Sequence, residues 1–408
     1  MDNLICALDV GSSKICALIA EVDASNTVRV VGAARVPAAG MRRGVVVNTN
    51  EATAAIGQAI AQAEASANCV MEAAFVSISG SHINSLGSKG VVGVGRGGRI
   101  TWEDTQRALE QARNIALPHN RDVIHVIPRC YAVDDQRGIH DPVGMFGFRL
   151  EVDASIITGA SSAIANLVTC VQANGVAIRD LVLAPLASAE AVLTDEERRL
   201  GVALVDIGAG TADIAIYLEA APWHAVIKEV AGDHFVRDVV MLLRMPYGKA
   251  EALIKEHGHA EPERVPADQE VQCGAFGQTA QQTVRRRLLA EIINARAEEI
   301  VDIILLEVKR SGYDGLLPAG IVLTGGVAQL AGFAELSEKR LDWPVRVGWP
   351  DGVASSIMDL SSPEYATAVG LLLWGLRQGS VPRVVEPPSS PGALGAKIVK
   401  WLRNLLPM

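Results

Sequence analysis

The sequence predicts an α/β protein with two similar lobes, each carrying a strand–turn–strand hairpin suited to gripping phosphate, and a small α+β insert. Two stretches and their separation carry that prediction. Leu200–Glu219 reads LGVALVDIGAGTADIAIYLE. The apolar run Gly201–Val205 is closed by Asp206. Gly208, Ala209, Gly210 and Thr211 make a turn, and Ile214, Ile216 and Leu218 then alternate as a second strand. Leu4–Val22, LICALDVGSSKICALIAEV, repeats this pattern: Asp9 matches Asp206, Gly11 matches Gly208, and Ile15, Ala17 and Ile19 alternate. The copies lie about half a chain apart, the spacing expected of a duplicated lobe. A turn rich in glycine brings backbone N–H groups together and aims them at an anion. Asp206 and Asp213 flank the second turn, so carboxylates would lie beside the phosphate. A divalent cation resolves that clash, and Mg²⁺, which keeps several waters, is often held by one or two carboxylates plus phosphates.

The bulk composition agrees with a multidomain globular chain. At 408 residues it is too long for one core. Apolar residues make up 49% and aromatic residues only 4%, so the core is built from Ala, Val, Leu and Ile. A net charge of −9 argues against general nucleic-acid binding. Cys6, Cys16, Cys69, Cys130, Cys170 and Cys273 are scattered, without C-x-x-C spacing or an accompanying histidine cluster. That pattern predicts free thiols in a reducing cytosol, with neither structural disulfides nor zinc. The N-terminus MDNLICALDV has no basic region, so no signal peptide is expected. Apolar stretches are interrupted by charges or turns within about 18 residues, so no transmembrane helix is expected.

In chain order, Val28–Val36 continues the first hairpin as a strand, Ala-rich Glu51–Asn68 reads as a helix, and Ala73–Ser79 as a strand ending at Gly80. Gly87–Gly98 reads as a glycine-rich loop; its GVGRGG neither follows an evident buried strand nor runs into a helix, so it is not read as a phosphate loop. Thr101–Ala116 is a helix with Thr101 as N-cap and Asp104 in its first turn. Pro128 breaks a strand, and Arg149–Ile157 alternates as another. Ser161–Asn174 is a helix stopped at Gly175, Ile178–Leu183 a strand, and Pro185–Leu193 a helix whose small residues permit close backbone approach.

After the second hairpin, Val226–Val230 is a strand and Ala231–Leu243 turns into a helix. Gly232 and Asp233 sit at that helix's start, where its dipole could face a ligand. Lys249–His257 is a helix, Pro262–Gln278 a loop or edge strands, and Val284–Ser311 a long amphipathic helix with a basic start. Ile321–Leu330 reads as a buried strand, a Gly325-Gly326 turn open to a flat ring or a phosphate, and a helix start; Tyr365–Leu376 is an apolar helix.

Gly379–Pro391 carries Pro382, Pro387, Pro388 and Pro391 and reads as an extended linker. Beyond it, at about 100° per residue, Leu394, Ile398, Val399, Trp401, Leu402, Leu405 and Leu406 share one helix face, with Lys397, Lys400 and Arg403 opposite. No acidic side chain occurs from Pro391 to Met408. A basic amphipathic helix with a tryptophan, held on a linker, is the signature of an interfacial anchor on anionic lipid.

These residues resemble the FtsA family of bacterial cell-division proteins, within the actin/sugar-kinase/heat-shock-chaperone ATPase superfamily. DVGSSK is similar to the first phosphate motif, DIGAGTAD to the second, and IVLTGGVAQL to the adenosine motif. HVIPRCYAVDD, DPVGM, YATAVGLL and the tethered helix point to the family itself. The resemblance implies an actin-like two-lobed ATPase fold with duplicated ribonuclease-H-like subdomains. Residues 1–80 with 159–199 would form the first core, 81–158 an inserted assembly subdomain, 200–225 with 301–378 the second core, and 226–300 its outer part. Residues 379–391 would be the linker and 392–408 the membrane-targeting helix. The resemblance also implies ATP in the cleft. Gly11, Ser12, Ser13 and Lys14 would meet phosphate from one side and Gly208, Ala209, Gly210 and Thr211 from the other. Asp9 and Asp206 would hold Mg²⁺ through water, with Asp206 the catalytic candidate. Gly325 and Gly326 would lie on the nucleoside, and Gly232, Asp233, Glu251 and Lys255 near the ribose and base. Its implied partners are the C-terminal tail of the tubulin-like protein FtsZ, tested at Arg285, Arg286, Arg287 and Arg296, together with further copies of the chain, membrane lipid and other division proteins. It places the protein on the cytoplasmic face of the inner membrane, at the septum. A sugar-kinase-like phosphotransferase is the alternative that the hairpins alone permit. Turnover of ATP is not decided by these residues.

Overall fold

A computed structural model describes residues 4–95, 98–274 and 281–378; the linker and terminal helix predicted from 379 onward lie outside the described residues. Two sheets share one strand plan. In the first, Leu4–Val10, Lys14–Val22 and Val28–Pro37 form an antiparallel meander, and Ala73–Ile78 and then Ala177–Leu183 add in parallel beside the opening strand. In the second, Val202–Ile207, Ala212–Leu218 and Ala221–Lys228 form the meander, and Ile321–Thr324 and Val345–Val347 add in parallel. The duplicated hairpins therefore open two copies of one subdomain. Their central strands are buried on both faces, which is why they read as nearly continuous apolar runs.

The Thr49–Ala67 helix covers the first meander. Its buried residues Ala52, Ile56, Ala59, Ile60 and Ala63 follow the helical period, and the Asn48 side chain caps its start by accepting from the amides of Asn50 and Glu51. Small side chains let this helix sit so close that a Cβ on Gly32 would lie 2.5 Å from the Ala63 carbonyl oxygen.

Between the sheets runs the Ala184–Val192 helix, buried along nearly its whole length. The last helix, Ala366–Gln378, crosses it at Gly370, where a Cβ would stand 1.8 Å from the Ala187 carbonyl oxygen. This is the close approach that the small-residue run Pro185–Leu193 permits. The second-core boundary needs correction here. Val353–Ser355 pairs with Val28–Val30 as a sixth strand of the first sheet, and the last helix packs on that sheet, with Gly375 against Phe75 and Ile5. Residues 353–378 thus belong to the first lobe.

The insert is an antiparallel sheet of Asn84–Gly93, Arg149–Ala160, Arg121–Val133 and Gln136–Ile139, with the Trp102–Arg113 helix against it. Thr101 is the N-cap, as read from the sequence, and the first-turn Asp104 bonds back to it to complete a capping box. Two local readings are revised. Residues 87–93, read as the start of a glycine-rich loop, are the end of the Asn84–Gly93 strand: Gly90 is where the helix presses on the strand, a Cβ there falling 1.9 Å from the Ala108 carbonyl oxygen, so glycine marks packing and not a turn. Pro128 does not end its strand, because a register shift between Asp153 and Ala154 skips Arg129 and absorbs the proline in a bulge. The insert is rooted in the first lobe, where the His125 Nε2 accepts from the Leu183 amide at 3.0 Å. It also docks on the second, where Arg129 donates to the Trp223 carbonyl at 2.6 Å and stacks over its ring.

The outer part of the second lobe comprises helices Gly232–Leu243, Tyr247–His257 and Arg286–Ser311 with a ribbon of Glu270–Gly274 and Gln281–Arg285. The basic run Arg285–Arg287 therefore straddles the end of a strand and the start of the long helix, and does not lie wholly inside the helix. Among the described residues no helix is long and apolar enough to cross a membrane. All six cysteines are free thiols, and burial pushes Cys6 and Cys16 up to about 12.

The Gly370–Ala187 crossing gives a test. Gly370→Ala should lower stability by about 2 kcal/mol through overpacking. Gly248→Ala, where a Cβ meets nothing within 4 Å, should be neutral or slightly stabilising. Urea-unfolding midpoints of the two variants check the contrast.

Candidate functional site

Each hairpin turn is closed the same way: the Gly11 amide donates to the Lys14 carbonyl and the Gly208 amide to the Thr211 carbonyl, both at 3.0 Å. The two turns meet. A Cβ on Gly210 would lie 2.6 Å from Ser12 Oγ and 3.0 Å from Arg43 Cα, so only glycine fits there. Ser12 Oγ in turn accepts from the Gly44 amide at 2.8 Å. Among the described residues, no hydrogen bond engages the backbone amides of Ser12, Ser13, Ala209 or Gly210. Four backbone donors are thus left unengaged on two turns that touch each other, and an anion-binding turn needs such donors.

Behind the turns lie three buried carboxylates, each tied to a hydroxyl. Ser77 donates to Asp9 at 2.9 Å; Ser188 and Thr367 donate to Asp206 at 2.5 and 3.1 Å; Ser79 donates to Asp213 at 2.7 Å across the lobe boundary. Asp213 Oδ1 is buried without a partner among the described residues. In register, Asp213 lies opposite Asp206 where the first hairpin has Cys16 opposite Asp9, so the second copy carries one carboxylate more. Burial raises all three. It lifts Asp9 to about 6 against the pull of Lys14 and Ser77, and lifts Asp213 to about 7 with help from the charge of Asp206; Asp206 is raised by burial against the bonds from Ser188 and Thr367.

The donor set fits a hydrated cation. Among the described residues, no three His, Cys, Asp or Glu side chains are grouped to hold a metal alone. A cation here would take most of its ligands from phosphate and water, as Mg²⁺ does. The unpartnered Asp213 oxygen and the raised carboxylates are groups that such a charge would satisfy.

Other predicted residues fall in different places. Gly325 has φ +82°, and a Cβ there would strike Asp206 Oδ1 at 2.4 Å; a Cβ on Gly326 meets open space, leaving that backbone approachable. The Gly232 and Asp233 amides are already bonded, to the Gly208 and Ala209 carbonyls at 3.0 and 2.8 Å. The helix start they form braces the second turn. The Asp233 carboxylate accepts from the Tyr247 hydroxyl at 2.9 Å, and Glu251 and Lys255 pair with each other at 2.7 Å on the exposed helix beyond. Lys14 is held by the Glu364 carbonyl and carboxylate at 2.5 and 2.9 Å.

The arginines lie outside this cluster. Arg296 is locked onto Asp238 by two bonds of 2.7 and 3.0 Å, Arg286 donates to the His257 carbonyl, Arg287 to the Val265 carbonyl, and Arg285 is exposed. Leu394, Lys397, Ile398, Lys400, Trp401, Leu402, Arg403 and Leu405 lie outside the described residues. Sequence reasoning missed the hydroxyl partners Ser77, Ser79, Ser188 and Thr367. Only the strand-end positions of Ser77 and Ser79, two residues apart and facing the cleft, could have signalled any of them.

Comparison with known proteins adds to this geometry. Residues 80–158 match a family model described as the SHS2 domain inserted in FTSA, and 203–370 match that of the cell division protein FtsA. The chain is 39% identical to the cell division protein FtsA of Pseudomonas aeruginosa over 93% of its length and 90% of the relative. It is 36% identical to that of Neisseria meningitidis serogroup B, with 98% of both chains covered. Among solved structures, a chain of the PilM–PilN type IV pilus biogenesis complex aligns over 91% of this chain and 98% of its own, with 17% identity and a TM-score of 0.65. MreB5 of Spiroplasma citri bound to ADP aligns over 92% and 97%, with 12% identity and a TM-score of 0.53. These two likenesses show the fold, a two-lobed actin-like architecture.

The raised carboxylates predict a pH dependence. A group raised in the folded state stabilises fully below its unfolded value and loses that contribution as pH rises through the folded one. With Asp9 near 6 and Asp213 near 7, stability should fall as pH rises from 5.5 to 8. The share of Asp213 is about 2 kcal/mol. Asp213→Asn should remove that share, flattening the urea-midpoint profile and leaving the variant more stable than the unaltered chain at pH 8.

Proposed function

We infer that this chain, which belongs to the family of the cell division protein FtsA, binds ATP with Mg²⁺ between its paired turns, self-assembles, and tethers the FtsZ ring to the membrane. A cell-division role on an actin-like scaffold is the premise; nucleotide, polymer and tether are our reading. The observation that carries it is the meeting of the Ser12 and Gly210 turns, with unengaged amides in front and buried carboxylates behind. A solved protein of the same fold is described with ADP, which supports the choice of anion.

In this reading the amides of Ser12, Ser13, Ala209 and Gly210 take the phosphate oxygens, with Gly11, Gly208 and Thr211 shaping the turns. Asp9 and Asp206 hold the cation through water, and the cation neutralises the phosphates. Asp206, which accepts from two hydroxyls, would orient a water. Gly325 and Gly326 present backbone to the nucleoside. Gly232 and Asp233 act by bracing the second turn, and Glu251 and Lys255 stand further out. A phosphate between the turns would replace the Ser12–Gly210 contact, so occupancy would set how the lobes meet and thereby tune assembly.

The tether is the basic amphipathic helix of 392–408, lying in the inner leaflet with Trp401, Leu402 and Leu405 in the acyl boundary and Lys397, Lys400 and Arg403 at anionic headgroups. The FtsZ tail is assigned to the outer part of the second lobe. Of the four arginines, exposed Arg285 is the freest to meet it, and Arg296 would have to leave Asp238 first. Anchored at the septum in this way, the protein would recruit later division proteins.

Co-sedimentation of the full chain with phosphatidylglycerol vesicles, with and without Mg-ATP, tests the reading. The unaltered chain should pellet, and Mg-ATP should change the amount. Trp401→Glu with Leu405→Glu should abolish pelleting, and Gly210→Val should remove the nucleotide effect while leaving lipid binding intact. Undiminished pelleting of the first variant would refute the tether.

A further inference from the structure

Pro363–Thr367 touches three parts of the site at once. The Pro363 carbonyl accepts from the Gly325 amide at 3.2 Å and from Thr324 Oγ1 at 3.4 Å. Thr367 Oγ1 donates to Asp206. Glu364 holds Lys14 by carbonyl and carboxylate, with the ammonium 4.3 Å from the Tyr365 ring centroid. A second cation already stands at the same Glu364 oxygen, Arg35 Nη2 at 3.1 Å. Lys14 is the only cation among the described residues of the two turns, and its side chain is 16% exposed. An ammonium has three donors. Here two point at Glu364, and its charge is matched by a carboxylate before any phosphate arrives.

We propose that Glu364 is a built-in competitor for nucleotide phosphate at Lys14, so that binding draws Lys14 away and leaves the Glu364 carboxylate to Arg35. This rests on the reading of the paired turns as the nucleotide site. A phosphate entering beside Lys14 must compete with Glu364 for the ammonium, and it lies near Asp9 and Asp206. The cation answers the two aspartates; Arg35, on the neighbouring strand and 43% exposed, answers Glu364. The same segment holds Gly325 and Asp206, so the exchange at Glu364 is transmitted to the nucleoside turn and to the carboxylate beneath the phosphates. It is the part of the first lobe through which occupancy is registered in the last helix.

The test is Mg-ATP titration of the full chain by calorimetry. Glu364→Gln keeps the shape and removes the charge, and should bind about fivefold tighter, the scale of a partly exposed ion pair. Arg35→Met leaves Glu364 with Lys14 alone and should bind about threefold weaker. On a Lys14→Met background, already weakened, Glu364→Gln should bring no gain. Unchanged or weaker binding by Glu364→Gln, or a gain that persists without Lys14, overturns the proposal and leaves the nucleotide site standing. No binding by the unaltered chain removes the site and the proposal with it.

Discussion

Three carboxylates kept out of water where two sheets abut form the constraint around which the molecule is arranged. A buried carboxylate is costly unless it is neutralised or bonded. Asp9 receives a hydroxyl from Ser77 on a strand of the first sheet, Asp213 one from Ser79 just beyond that strand, and Asp206 one each from the helix between the lobes and the last helix. Removing the carboxylates from the sequence would leave those hydroxyls as ordinary buried serines and threonines. Their presence makes the lobe boundary a place where negative charge is stored and a cation with phosphate would be welcome. The last helix must then lie close to the interlobe helix to deliver Thr367, and Gly370 over Ala187 is what allows it.

Duplication explains the symmetry of this arrangement, and small departures from it explain the polarity. Both sheets have one strand order and both turns close by the same glycine-to-carbonyl bond. Yet Cys16 in the first copy answers to Asp213 in the second, Lys14 to Thr211, and the first sheet alone borrows a sixth strand from residues 353–355. The first turn therefore carries the cation and the second the additional anion. The insert spans the divide, rooted in the first lobe at His125 and touching the second at Trp223 through Arg129.

Much of this was legible in the sequence because it is written in local pattern. The hairpins, the central apolar strands, the Thr101 N-cap and the small residues of Pro185–Leu193 each announce themselves within a few residues. What was not legible depends on long-range contact. Gly90 was read as loop because its partner, the backbone of Ala108, is distant in sequence. Pro128 was read as a stop because the bulge that absorbs it is set by the strand opposite. Val353–Ser355 is too short to show a period, and only its pairing with Val28 assigns it to the first lobe. The hydroxyls on the three aspartates and the hold of Glu364 on Lys14 join residues separated by up to 350 positions, and no spacing rule reaches that far.

Whether the two turns form one nucleotide site is decided by a crystal structure of the full chain with Mg²⁺ and a non-hydrolysable ATP analogue. Phosphate oxygens should lie on the amides of Ser12, Ser13, Ala209 and Gly210, the cation within water's reach of Asp9 and Asp206, and the Ser12–Gly210 contact should be opened. Nucleotide bound elsewhere, or turns still in contact at saturating analogue, would contradict a shared site.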